Sequence, residues 1–322
     1  MTENVELQAS VPADAAGSRL DQVLAALFPE YSRSRLQQWV KAGQVTVDGR
    51  CLRPRDRMAG GESVRISATL EPEVLLTPEP IDLQVVYEDE DILIIDKPAG
   101  LVVHPGAGNA GGTLQNALLH RHPALETVPR CGIVHRLDKD TSGLLVVAMN
   151  LRAHASLVEQ IQARTMGREY DALVNGTFTA GGKVEASLGR HPRDRKRMAV
   201  DQSGGGREAV THYRIAERFL AHTLLRVRLE TGRTHQIRVH MAWIRHPLVG
   251  DPVYAGRARL PQGADDTIRY ALASLRRQAL HAARLTLVHP ATGDEMHWDA
   301  PRPADMESLL EVLRAHDQRM KS

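Results

Sequence analysis

What is scarce in these 322 residues narrows the possibilities first. Two cysteines, Cys51 and Cys131, cannot build a disulfide framework and show no metal-ligand spacing, so both read as reduced thiols. Fifteen histidines are present, again without zinc-like spacing. No apolar run approaches the roughly 20 residues of a membrane helix. The acidic, polar start lacks the pattern of a signal peptide. Together these point to a cytoplasmic protein with no membrane partner and no metal. Internal repeats are absent, and the single low-complexity tract is Gly204-Gly205-Gly206. A net charge of +2 is too small to argue for nucleic acid by itself. With 42% hydrophobic and 25% charged residues, the chain is an ordinary globular one, long enough for a large domain plus a small one.

The charge is unevenly spread. Residues 17–57 hold eight Arg or Lys against four acids, residues 71–91 hold eight acids and no base, and residues 190–197 hold five cations against one acid. Such blocks fit an anionic ligand held at chosen places. Residues 1–16 read as a flexible tail. Ser18 is positioned to cap a helix with Leu20, Val23, Leu24, Leu27 and Phe28 on one face. Ser32 is positioned to cap a second helix, ending at Gly43. Val45-Thr46-Val47 alternates as a strand before an Asp48-Gly49 turn, and a partner strand fits residues 63–67. Arg33, Arg35, Lys41 and Arg53 fall on the polar side of this unit. The acidic, proline-containing stretch that follows reads as a linker, taken as 68–80, into a domain spanning 81–322.

In that domain, strands are expected at 92–95, 144–148, 170–174, 183–188, 210–215, 224–229 and 280–288. Helices are expected at 113–121, 153–163, 234–244 (capped by Thr234) and 305–315. Without regular βαβ alternation, the class is α+β with a mixed, largely antiparallel sheet, preceded by the small α/β unit. The densest chemistry lies in Gly132-Ile133-Val134-His135-Arg136-Leu137-Asp138-Lys139-Asp140-Thr141-Ser142-Gly143, charged residues wedged between two apolar runs. Asp138, Asp140 and Ser142 resemble the start of a calcium loop, but the twelfth position is Met149, not the required glutamate. An aspartyl-phosphate site would need Mg²⁺ and further acids that cannot be identified.

The order of residues, His-Arg-Leu-Asp followed by Thr-Ser-Gly, resembles the signature of the RluA family of RNA pseudouridine synthases. Arg168-Glu169-Tyr170, the run from Thr231 to His240, and Asp96-Lys97-Pro98-Ala99-Gly100 with its continuation to Pro105 match the same family, over roughly residues 81–300. The resemblance implies Asp138 as the essential carboxylate, Arg238 as its cationic partner and Tyr170 on the uracil face. It also implies substrate contacts from Arg136, His135, Thr141, Arg233 and Ile237, with Arg136 filling the gap left by an extracted base. Residues 17–67 resemble the S4-like RNA-binding domain, making Arg33, Arg35, Lys41 and Arg53 candidate RNA contacts. The reaction implied is isomerisation of uridine to pseudouridine, with no cofactor or metal; a monomer is expected. Attack on the ribose, attack on the ring and base catalysis remain alternatives for Asp138. Pro129 to His135 and Val103 to Gly108 look most like the RluD subgroup, which modifies a stem-loop of 23S ribosomal RNA in the large ribosomal subunit. The alternatives are an RluC-like or tRNA target, or a non-catalytic ribosomal RNA-binding protein.

Overall fold

The computed structural model describes residues 3–31, 33–70, 76–106, 109–194, 197–257 and 259–321. Two units divide the chain, Met1–Leu75 and Leu76–Ser322. In the first, strands β1 (Glu3–Ser10), β2 (Val45–Val47) and β3 (Ser63–Leu70) form a sheet in the order β1-β3-β2. Helices α1 (Leu20–Leu27) and α2 (Arg33–Lys41) supply the apolar residues that pack with it. Residues 3–10 are therefore not part of a tail. Val5, Leu7 and Ala9 alternate with polar residues, and β1 pairs along its whole length with β3, burying Val5. Ser18 is not a cap either. Its carbonyl is taken by Met58, Arg19 bridges to Arg57, and α1 begins only at Leu20. The proposed cap Ser32 lies outside the described residues, as do Ala107 and Gly108. Asp48 and Gly49 form the expected two-residue turn, both at positive φ, closed by paired Val47 and Arg50 backbone bonds.

The linker is shorter than expected. β3 continues to Leu70, and the chain from Thr77 is already fastened to the second unit. The Glu79 carboxylate accepts from the Gly112 N–H, and the Asn116 amide donates to the Thr77 carbonyl. The second unit is built on a nine-stranded sheet. Its strands are β4 (Gln84–Glu88), β5 (Ile92–Lys97), β6 (Ser142–Ala148), β7 (Gly167–Asn175), β8 (Gly182–Glu185), β11 (Val210–Arg218), β12 (His222–Leu229), β13 (Leu280–Val288) and β14 (Glu295–Asp299). The order is β4-β5-β6-β13-β7-β12-β11-β8, with β14 on β13, and every pairing but β13 with β6 is antiparallel. Helices α3 (Leu114–Arg121), α4 (Leu151–Gln162), α5 (Gln236–Trp243), α6 (Asp266–Ser274) and α7 (Ala304–Lys321) complete it.

The strand expected over 183–188 is broken after Glu185. Leu188–Arg190 (β9) instead pairs with Met198–Val200 (β10) in a separate ribbon. The Ala186 N–H is diverted to the Ala209 carbonyl and the Ser187 carbonyl to Asp201, which turns the chain. The expected Thr234 cap is also displaced. Helix α5 starts at Gln236 after His235, whose φ is 57. All seven residues of β6 are buried, as expected for a strand covered on both faces. Gly143 sits at φ 112 against β13, where a Cβ would collide with the Ala282 backbone. The parallel contact that sets the start of β6, and with it the preceding loop, requires glycine there.

Candidate active site

The loop 134–141 enters β6 and carries Asp138 into a pocket of about 600 Å³. That loop is tied down on several sides. The Asp138 carbonyl accepts from the Thr141 N–H, and the Thr141 hydroxyl accepts from the Gln278 amide at 3.0 Å. Lys139 offers its carbonyl to the Gly100 N–H and to Lys97 Nζ at 3.0 Å. Lys97 is wholly buried and also donates to the Pro98 and Leu101 carbonyls, which uses all three of its N–H groups. Burial pulls its ammonium down to about 8, against the pull of Asp140 and Asp138. Immediately before the loop, Arg130 and Cys131 hold left-handed backbone (φ 55 and 50), each costing on the order of 1–3 kcal/mol.

Arg238, on α5, reaches Asp138 with Nη1–Oδ2 at 3.1 Å. The guanidinium is buried and clamped from behind by Asp251, at 2.7 and 2.9 Å. Burial alone would lower the Arg238 pKa, but Asp251 and Asp138 outweigh it, so the group is held more firmly charged than usual. Tyr254 lies beneath it, ring centre 5.1 Å from Cζ, with its hydroxyl 2.9 Å from His235 Nδ1. His235 Nε2 is 4.0 Å from Asp138 Oδ1. Burial lowers the His235 pKa, opposed by Asp138. Asp138 thus faces one buried cation and one imidazole held toward its neutral form.

Tyr170, on β7, is 6% exposed and lines the same pocket with Leu229, Ile237 and Leu280. Burial is the main reason its phenol is pushed above its ordinary pKa, so it stays protonated. Arg136 is exposed at the pocket lining, and Thr141, Arg233 and Ile237 line it too. Arg233 is partly occupied, its Nε donating to the Glu208 carbonyl at 3.0 Å. His135 also lines the pocket, but its Nε2 accepts from the Val146 N–H at 3.1 Å. Burial, then the charge of Arg168, presses its pKa down to about 3. Its ring is therefore a neutral acceptor that fastens the loop to β6. Gln236 does similar work on the facing loop. Its Oε1 accepts from Thr231 and the Arg233 N–H, and its amide donates to the Val210 carbonyl and Thr211.

In the first unit, Arg33 does not stand free on the polar face. It donates to the buried Asp21 at 2.8 and 3.2 Å, together with Arg19 and Gln37. Burial pushes the Asp21 carboxyl up, but these donors outweigh it and leave it below its ordinary range. Lys41 and Arg53 are exposed, and Arg35 is half-buried. Among the described residues, one grouping has metal-like ligands, Asp89, Asp91 and His289, outside the pocket lining. Its atoms serve one another and neighbouring groups. His289 Nε2 meets Asp89, its Nδ1 accepts from the Ala291 and Thr292 N–H groups, and Asp91 is held by Asn150 and Arg152.

Residues 91–243 match the RNA pseudouridylate synthase family, and residues 18–64 match the S4 domain. Proteins named ribosomal large subunit pseudouridine synthase D are 55% identical, from Xanthomonas campestris over 97% of this chain and 94% of that protein, and from Escherichia coli K12 over 98% and 96%. The chain belongs to the RNA pseudouridylate synthase family. It is an RNA pseudouridine synthase with an N-terminal S4 domain. The solved structure of human RNA pseudouridylate synthase domain containing 4 is 25% identical, with a TM-score of 0.56 over 72% of this chain and 93% of that one. Asp251, Tyr254, Lys97, Gln278 and Gln236 were not singled out from sequence. Gln236 lay inside a motif already noted and Lys97 in the lead-in, whereas no local pattern marks Asp251 or Gln278 as partners of residues far along the chain.

Proposed function

We propose that this synthase isomerises uridines of large-subunit ribosomal RNA, at a 23S stem-loop, with Asp138 as the nucleophile. The relatives' names support the target, and the buried Asp251–Arg238–Asp138 chain supports the residue assignment. In the reaction the ribose C1′–N1 bond breaks, the uracil turns, C1′ bonds to ring C5, and the C5 hydrogen is lost as N1 gains one. Asp138 needs a charged carboxylate in a site closed to water, and Arg238, held in place by Asp251, turns Nη1 toward it. Tyr170 offers an apolar face for a flipped base and a protonated hydroxyl for proton transfer. Extraction of the base from a stem typically costs a few kcal/mol, and Arg136 at the mouth fills the gap it leaves. Thr141, His135, Arg233 and Ile237 shape the pocket around the nucleotide.

The S4 domain adds affinity through phosphate contacts from Lys41, Arg53, Arg35 and the outer edge of Arg33. The enzyme works as a monomer in the cytoplasm, without cofactor. No helix among the described residues is long and apolar enough to cross a membrane. The decisive experiment is Asp138→Asn, assayed on a 23S stem-loop transcript and by mapping pseudouridine in ribosomal RNA from a deletion strain. We expect a folded protein that binds RNA and makes no pseudouridine. Robust turnover by a verified Asp138→Asn preparation would falsify the assignment, and unaltered ribosomal RNA in the deletion strain would remove the target.

A further inference from the structure

Arg168 lies on β7 two residues before Tyr170, so both side chains leave the same face of the strand, and both line the catalytic pocket. It is 6% exposed. No carboxylate is paired with it among the described residues, and its buried Nε has no hydrogen-bond partner. Its neighbours do not neutralise it. His135 is kept neutral, in part by this very charge, and Tyr170 is kept protonated. Of the carboxylates that line the pocket, Asp138 is held by Arg238, and Glu230 by His212 and Arg164. Space has been left for the guanidinium, since a Cβ on Gly232 would stand 2.7 Å from Arg168 Nη1. The motif loop that faces β7 is thus bare of side chain where Arg168 reaches past it.

A buried guanidinium without a counter-charge is unfavourable in the free protein, and such groups are ordinarily paired. We propose that Arg168 is a substrate-contacting residue whose guanidinium takes a negatively charged oxygen of the nucleotide in the pocket. This rests on the reading of the pocket as the uridine site. Two oxygens have this chemistry. One is a phosphate oxygen flanking the everted uridine. The other is a uracil carbonyl oxygen, which gains charge when the electron pair of the C1′–N1 bond moves onto the ring.

The test uses the full-length protein and a stem-loop transcript that the wild type converts, with Arg168→Met, Arg168→Lys and Asp138→Asn side by side. Arg168→Met keeps length and removes charge. It should melt at or above the wild-type temperature, because an unpaired cation has been removed, while losing function by about 10- to 100-fold, the typical scale for a bond to a charged group. Arg168→Lys should recover part of that loss. A phosphate partner predicts weaker RNA affinity and a shallower salt dependence with the saturated single-turnover rate intact. A ring-oxygen partner predicts unchanged affinity and a slower saturated rate. Wild-type rate and affinity in Arg168→Met overturn the proposal, as does a loss that follows an equal fall in melting temperature in both variants. If the wild type converts no ribosomal stem-loop, the functional reading fails separately. Affinity and melting need no turnover and still judge Arg168.

Discussion

At the scale of single residues, the site depends on groups held in one protonation state. His135 is the clearest. Its folded pKa of about 3 lies below the ordinary 6.5, so between these values the unfolded chain binds more protons. Stability from His135 is therefore complete above pH 6.5 and declines as pH falls below it, by about 2 kcal/mol at pH 5. His104, His222, His240 and His281 are also lowered by burial and act in the same direction. Asp21 in the first unit behaves differently. Its contribution is present above 3.8 and is lost only as pH falls through its lower folded value. Melting curves between pH 7 and 5 should thus show the catalytic unit weakening while the Asp21 clasp persists. His135→Gln, which keeps an acceptor for the Val146 N–H, should flatten the dependence. An identical slope in the variant would mean that His135 is protonated in the fold. Asp138, Tyr170 and Arg238 stand in sequence motifs, and the fold brings all three to one pocket. Asp251 is not legible in the sequence, because its role exists only when residues thirteen apart meet across a turn.

At the scale of elements, most strands and helices followed from apolar spacing, since burial on one or both faces dictates the pattern. The errors came where a side chain or an edge strand decided the outcome. The alternation of β1 is mixed with alanine and acid, which hides the strand in the sequence. The strand at 183–188 was broken by bonds to distant carbonyls, and α5 began late because Gln236 bonds the loop in front of it. Helix α7 is longer than its apolar spacing suggests, and its start is joined to the Asp138 loop. Arg277 is buried, bidentate to Asp305 at 2.7 Å for both bonds, and its Nη1 reaches the Gln278 and Asp140 carbonyls at 3.1 and 3.4 Å. Arg277→Ala should cost about 1–2 kcal/mol, discounted because Asp305 is half-exposed. It should lower kcat more than it raises KM, because the Asp138 loop loses a tether far from the substrate's binding groups. Paired melting and steady-state measurements would show this. Wild-type kcat in a variant that is destabilised would limit Arg277 to a packing role.

At the scale of the whole molecule, the chain forms two units with separate cores, and the proposed function gives affinity to the first and chemistry to the second. Every pocket-lining residue lies between 104 and 280. A protein lacking residues 1–75 should bind RNA more weakly and with a flatter salt dependence, yet still isomerise slowly at saturating enzyme. Salt titration of affinity and single-turnover rates for both proteins measure this. An unchanged salt dependence would mean that the basic face of the first unit does not touch phosphate. A folded truncation without chemistry at saturation would give that unit a part in building the pocket.

The position of β13 has a consequence for the order in which the enzyme is made. β6, which follows the Asp138 loop, and β7, which carries Tyr170, are not neighbours; residues 280–288 are wedged between them. A chain emerging from the ribosome exposes the open edges of both strands for more than a hundred residues of further synthesis. In the finished fold this late strand is what joins the sheet behind the Asp138 loop to the strand that carries Tyr170. Products terminated before residue 280 should therefore convert no uridine, which an assay of such truncations on RNA checks.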